Sequence, residues 1–590
     1  MTNPYVAKGL RNLFQRRSSF VLIALTGRTG SGCSTAMSLL TKGFSQLKVP
    51  KAKTEDFLIE DRKHRIALDY AEKNWAPFFG ISISNVILSF LLDVEKDSLK
   101  RFLQTSGAFS RPDDIETFLS EWEQPASSWG QTKGVLSTSD TSEEDLSAFV
   151  NAWQTTLTQF FSTVRKGMGP ASVKLLQLVG DNLRKSGNPL SSTPDPDKFY
   201  VLPERVADLI QAIKKRQIKI GEPAYVVLDA LRNPFEVLYF KERFASFYLV
   251  AITTDNIDRE RRLAYLGYTP LQIAEYDKKE YPEKSKPLSG YEAFTSQNIQ
   301  SCLEKADIYI RNNGVSAPQQ EPNLNEFTSQ LIRYFSLMIH PGLTTPTRME
   351  RCMQIAFSAR ANSGCISRQV GAAITDKNDS IKAVGWNDVP AGQIPCLLRR
   401  ATDLAANSDE AAFSDYEYRN TEFRKQVEGS YKRFNLVNMG GRSSSFCFKS
   451  EYNSLLGGDN NQVHTRSLHA EENAFLQLAK YGGDGIEGGN LYTTASPCEL
   501  CAKKAFQLGI KNIFYIDPYP GISLDHILKS GVKSSRPVVE LFQGAVGQAY
   551  HRLYDPVLPY KDELKALMDG GEEVATLGGG KLNDVGGQLF

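Results

Sequence analysis

The stretches His469-Ala470-Glu471 and Pro497-Cys498-Glu499-Leu500-Cys501 constrain this chain more than any other feature. An imidazole and two thiolates form the ligand set of a tetrahedral zinc ion, and a catalytic site uses three protein ligands while water takes the fourth position. His469, Cys498 and Cys501 supply three. Such an ion brings the pKa of its water from about 16 toward about 7, and Glu471, two residues past the histidine, is placed to carry the proton. Both motifs read as helix starts. Residues 471–480 set Ala474, Phe475, Leu478 and Ala479 on one face, and the stretch 501–508 is stopped by Gly509. Helix N-termini favour anions, which suits thiolates. A CxxC pair also serves structural zinc knuckles and redox centres, but a redox pair leaves the His-x-Glu unexplained.

The flanking residues outline a mixed sheet. Residues 370–375 and 381–386 read as two strands joined by the turn 376–380. Residues 491–495 and 512–517 flank the cysteine helix as a βαβ unit, which implies parallel strands. The loop Gly385-Trp386-Asn387-Asp388-Val389-Pro390-Ala391-Gly392 follows the second strand.

His-x-Glu followed by Pro-Cys-x-x-Cys is the pattern of the zinc deaminases that act on cytosine or adenine. Over about residues 345–555 the sequence resembles the deoxycytidylate deaminase family. The resemblance is carried by residues 353–360, Arg368-Gln369-Val370-Gly371-Ala372, the 385–392 loop, His469-Ala470-Glu471-Glu472-Asn473-Ala474 and residues 496–501. It implies that Asn387 contacts the deoxyribose and that Arg368 lies near the phosphate. It further implies that Tyr515 and Tyr519 help wall the base. Asparagine is also an ordinary turn residue, the other use open to Asn387. One departure from the family is the long segment 393–467, which holds Cys396, Cys447 and His464. Those three residues are candidates for a second metal, although cysteines so far apart more often serve as buried thiols.

At 590 residues the chain exceeds a single core, so two or three domains are expected. A net charge of +2, from 69 basic and 67 acidic residues, gives no global case for nucleic acid or membrane partners. Eight cysteines in this length fit a reducing compartment rather than a disulfide framework. No run reaches the roughly twenty apolar residues of a membrane span. The apolar run 19–26 after Arg16 and Arg17 is too short for a signal peptide and lacks a cleavage site, so it reads as a buried parallel strand. A cytoplasmic location is expected.

That strand leads into a second motif, Gly27-Arg28-Thr29-Gly30-Ser31-Gly32-Cys33-Ser34-Thr35, ahead of the amphipathic stretch 36–44. Strand, glycine loop and helix are the setting of a phosphate-binding loop. Gly27, Gly30 and Gly32 let backbone amides face a phosphate, Ser34 stands where a hydroxyl reaches Mg2+, and Thr35 is counted with the nucleotide-binding loop. Cys33 occupies the position of the usual lysine, so nucleotide binding is expected without rapid phosphoryl transfer. Residues 225–229 and 247–252 read as further strands, Arg259, Arg261 and Arg262 as a basic lid, and Arg184 as an added basic group. Residues 306–314 resemble the last strand and turn of P-loop kinases.

Residues 123–144 and 190–197 read as loops or mobile insertions, and 316–323 as the linker. The organisation expected is α/β throughout. A P-loop NTPase or kinase-like regulatory domain spans 1–320. A cytidine-deaminase-like α/β/α domain spans 321–568 with its insertion at 393–467, and a Gly-rich, disordered tail spans 569–590. This order resembles the two-domain deoxycytidine nucleotide deaminases of bacterial phage defence, which implies conversion of dCTP and dCMP to dUTP and dUMP during infection. The resemblance also implies free deoxycytidine nucleotides as substrates, a nucleotide effector at the N-terminal domain and a homo-oligomer. No residue identifies an antitoxin or inhibitor partner. Housekeeping pyrimidine metabolism, with the P-loop domain as an allosteric partner, stays open. So does a base-editing enzyme acting on nucleic acid, though near-neutral charge counts against the latter.

Overall fold

A computed structural model of the chain describes residues 4–50, 58–280 apart from 110, 139 and 169, 290–312, 323–432, 439–457, 464–482, 485–517 and 523–569. Tyr519, most of the linker stretch 316–323 and the tail 570–590 lie outside the described residues. The chain forms two compact units, one of residues 1–345 and 551–590, the other of residues 346–550. The division falls beyond the Pro- and Gln-rich stretch that the sequence marks as a linker. The helix Asn325–Ile339 belongs to the first unit, where it packs on the helix Ile59–Asn74 and buries Phe327, Leu331 and Phe335. Leu553 accepts the Gly342 amide at 2.9 Å, and Arg552 donates to Phe247 at 3.0 Å, which brings the chain's later residues back to this unit.

In the first unit, strands β1 (Phe20–Thr26), β2 (Phe79–Ser82), β3 (Ala224–Asp229), β4 (Phe247–Thr253) and β5 (Ile308–Arg311) run parallel in the order β5-β4-β1-β3-β2. Every residue of β1 is buried, the mark of a parallel strand covered on both faces. Between β2 and β3 along the chain lies a run of helices. There the structure corrects the sequence reading of 123–144 as a loop: the helix Pro112–Thr132 runs through Pro125, and the helix Glu143–Ala152 follows. Trp122 and Trp129 are buried on the first helix, and Trp129 donates to Asp93 at 2.8 Å, so packing overrides the weak local propensity.

In the second unit, strands β6 (Gly371–Thr375), β7 (Ile381–Trp386), β8 (Asn490–Ala495), β9 (Asn512–Asp517) and β10 (Val538–Leu541) form a sheet of order β10-β9-β8-β6-β7. β6 is antiparallel to β7 and β8, while β8, β9 and β10 are parallel. The helices Ala470–Tyr481 and Glu499–Gln507 cover one face, with Ala470, Ala474, Ala502 and Ala505 packed on Ala372, Ile374, Leu491 and Ile513. The insertion folds as helices around a core of its own, with Leu404, Phe413, Phe423, Val427 and Phe446 at its centre. Within it Arg399 and Glu417 form a fully buried pair, and Arg466 meets Glu417 at 2.8 Å.

Candidate functional site

Two helix starts position the predicted ligands. His469 is the N-cap of the helix Ala470–Tyr481, and Cys498 is the N-cap of Glu499–Gln507, so Cys501 lies in that helix's first turn. His469 Nδ1 stands 3.2 Å from Cys498 Sγ and 3.5 Å from Cys501 Sγ. A tetrahedral ion with Zn–S near 2.3 Å and Zn–N near 2.0 Å separates such donors by about 3.5 Å, so the donor set fits zinc. The three ligand atoms all lie within 4.8 Å of one another, and this is the metal-competent group among the described residues. The Cys498 thiol is held well below the ordinary thiol range by the hydrogen bond with Cys501, against the opposing effect of burial. Cys396, Cys447 and His464 do not gather: Arg399 donates to Cys396 Sγ at 3.2 Å, and the His464 ring lies against Tyr452.

The two adjacent acids divide their work. Glu472 turns back toward the His469 amide and pairs with Lys504. Glu471 points inward and is 4% exposed, and burial pushes its carboxyl up to about 7. The Thr493 hydroxyl donates to the Ala495 carbonyl at 2.8 Å and stands 3.4 Å from Glu471 Oε1. Sequence reasoning missed Thr493, because a threonine in a strand carries no local mark of its partner.

Asn387 bridges two backbone groups: its Oδ1 accepts the Val370 amide at 2.6 Å and its Nδ2 donates to the Arg368 carbonyl at 2.7 Å. One amide hydrogen and one lone pair remain. Arg368 forms an ion pair with Asp517, a buried acid at the end of β9 that sequence reasoning also missed. Tyr515 is in register with Thr493, so both side chains rise from the same face of the sheet.

In the first unit, the glycine loop follows β1 at the carboxyl end of the sheet, with β4 on one side of β1 and β3 on the other. Gly30 and Gly32 have φ of +87° and +113°, and a Cβ on Gly32 would meet the Asn312 amide nitrogen at 2.2 Å. Gly27, Gly30, Gly32, Cys33, Ser34 and Thr35 border a cavity of about 550 Å³. Ser34 donates to Asp229 at 3.2 Å. Cys33 is buried and its thiol is pushed up to about 12, first by that burial, so it supplies no charge.

Of the three arginines read from the sequence as a basic lid, Arg262 borders the cavity. Arg259 is buried against Asp277 at 2.8 Å, and Arg262 donates to the carbonyls of Ser31 at 3.3 Å and Asn312 at 2.8 Å. Arg261 is exposed beside Asp258. Arg184 borders the cavity but is paired with Glu236 at 2.8 Å.

A catalytic-type N,S,S donor set beside a buried carboxylate, on helices covering a mixed sheet, defines the class of the zinc-dependent base deaminases. Residues 346–517 match the cytidine and deoxycytidylate deaminase zinc-binding region. The chain is 31% identical over 172 residues to the deoxycytidylate deaminase of Enterobacteria phage T4, spanning 28% of this chain and 76% of that protein. With the enzyme of phage T2 the identity is 32% over 174 residues, 28% of this chain and 78% of that protein. Through this region the chain belongs to the deoxycytidylate deaminase family. The dCMP deaminase of cyanophage S-TIM5, solved with dCMP and dUMP, is 22% identical over 34% of this chain and 98% of its own, with a TM-score of 0.20.

Proposed function

We propose that the second unit hydrolyses free deoxycytidine nucleotides, dCMP and dCTP, to the deoxyuridine nucleotides and ammonia. The observation that carries this reading is the convergence of His469, Cys498 and Cys501 beside the buried carboxylate of Glu471. Zinc, when bound by those three residues, supplies a readily deprotonated water next to the base. Glu471 takes the proton from the attacking water and returns protons to the ring and the departing amine, work open to a buried carboxyl two residues from a ligand. Arg368 takes the nucleotide phosphate, the remaining amide capacity of Asn387 serves the deoxyribose, and Tyr515 walls the base beside Thr493.

The first unit, on this reading, is a P-loop regulatory domain that binds a nucleotide effector. Ser34 and Asp229 supply the oxygen pair for Mg2+. The buried, uncharged Cys33 supports regulation over phosphoryl transfer. The active protein is a homo-oligomer, and its reaction depletes dCTP during phage infection, as the resemblance to two-domain defence deaminases implies.

Ammonia release by the full chain from dCMP, dCTP and a single-stranded oligodeoxynucleotide tests the substrate. The free nucleotides should react and the oligonucleotide should not. Deamination of the oligonucleotide at a comparable rate would overturn the reading. In infected cells the dCTP pool should fall with the wild-type chain and not with Glu471→Gln; equal pools would remove the defence role.

A further inference from the structure

Glu280, the last residue of the helix Pro270–Glu280, is seated on the glycine loop of its own unit. It is 1% exposed, and both of its carboxylate oxygens lie 3.1 Å from the Thr29 amide nitrogen. The Thr29 hydroxyl donates to the same carboxylate. Arg232 closes the group, with one guanidinium nitrogen 3.0 Å from Glu280 and the other 3.2 Å from the Thr29 hydroxyl. A loop amide, a hydroxyl and a guanidinium converging on one anion form the donor set that recognises a phosphate. Cys33 brings no cation to this loop, so Arg232, just past the end of β3, is the cation that Glu280 neutralises there.

The cavity has recognition capacity that Glu280 does not use. Asn312 is 3% exposed and borders it; its Nδ2 donates to the Ser31 carbonyl at 2.9 Å while its Oδ1, buried, has no hydrogen-bond partner. From the loop the space continues past Ser84 and Arg165 to the apolar side chains of Ile87 and Val173, and its volume of about 550 Å³ lies in the range of small-ligand pockets.

We propose that Glu280 is an internal stand-in for the terminal phosphate of a nucleoside triphosphate, a latch that this ligand must displace to reach Thr29 and Arg232. The inference rests on the reading of the first unit as a nucleotide site, and adds how that site is held shut. A seated carboxylate lowers apparent affinity by the fraction of molecules in which it has left. Neutralising it removes the competitor and frees Arg232.

Calorimetric titration of the full-length chain with Mg-ATP, a nucleotide without cytosine, tests this. Glu280→Gln and Glu280→Ala should each bind ATP at least about tenfold more tightly than wild type. Adding Arg232→Ala to either should abolish the gain. Glu280→Asp, which keeps the charge with a shorter reach, should fall between. Wild-type affinity in both neutral variants, each folded by circular dichroism, would overturn the latch while leaving the nucleotide site standing. No ATP binding by wild type or by either neutral variant would overturn the nucleotide site itself.

Discussion

A Cβ on Gly385 would stand 2.2 Å from the carbonyl oxygen of Ala470, so β7 and the helix Ala470–Tyr481 meet backbone against backbone. His469 and Glu471 flank Ala470, and the depth of that contact sets where both side chains reach. Gly385→Val should push the helix away, at a cost of about 1–3 kcal/mol for overpacking. We expect a lower melting temperature together with less than stoichiometric zinc by atomic absorption. Wild-type values for both would show that other contacts hold the helix.

Glu471 carries the proton on our reading without being a metal ligand, so Glu471→Gln should separate metal binding from turnover. Zinc content should stay near one ion per chain while kcat on dCMP falls by about 10²- to 10⁴-fold. Cys498→Ala, by contrast, should lose zinc and activity together. A Glu471→Gln enzyme that keeps most of its rate would place the acid-base group elsewhere.

The second unit's chemistry was legible because its signals are local. The ligand motifs open helices, β6 and β7 are joined by a short turn rich in Asp and Asn, and β8 and β9 flank the cysteine helix. The partners that orient these residues are not local. Asp517 meets Arg368, Thr493 meets Glu471, and Glu280 meets Thr29 from far along the chain, and none of these residue types announces such a partner. The helix Pro112–Thr132 was hidden for the opposite reason: Pro125, Ser127, Ser128 and Gly130 argue locally for a loop, and the burial of Trp122 and Trp129 outweighs them.

Arg368 faces two demands, its ion pair with Asp517 and the substrate phosphate. Comparing dCMP with deoxycytidine, which has no phosphate, separates them. Arg368→Ala should raise KM for dCMP by roughly 10- to 100-fold, as loss of a charged hydrogen bond of about 1.5–3 kcal/mol implies. Deoxycytidine turnover should change little. Equal losses on both substrates would make Arg368 a structural partner of Asp517 alone.

The insertion carries a fully buried ion pair. Arg399 and Glu417 have fully buried side chains, and Glu417 also holds Arg466, three residues before His469. Removing one partner strands a charge in the core, so Glu417→Ala should lower the stability of this unit by about 3–5 kcal/mol in urea. Replacing both with apolar residues of similar volume, Arg399→Met with Glu417→Leu, should restore most of that loss, because neither of the two fully buried charges remains. Arg466 would still lack its acid in the double variant, so recovered stability with a raised KM for dCMP would show that the buried pair holds the fold while the Glu417–Arg466 contact positions the chain entering the metal helix. A loss below about 1 kcal/mol for Glu417→Ala, the scale of a surface pair, would show that the pair is solvated in solution.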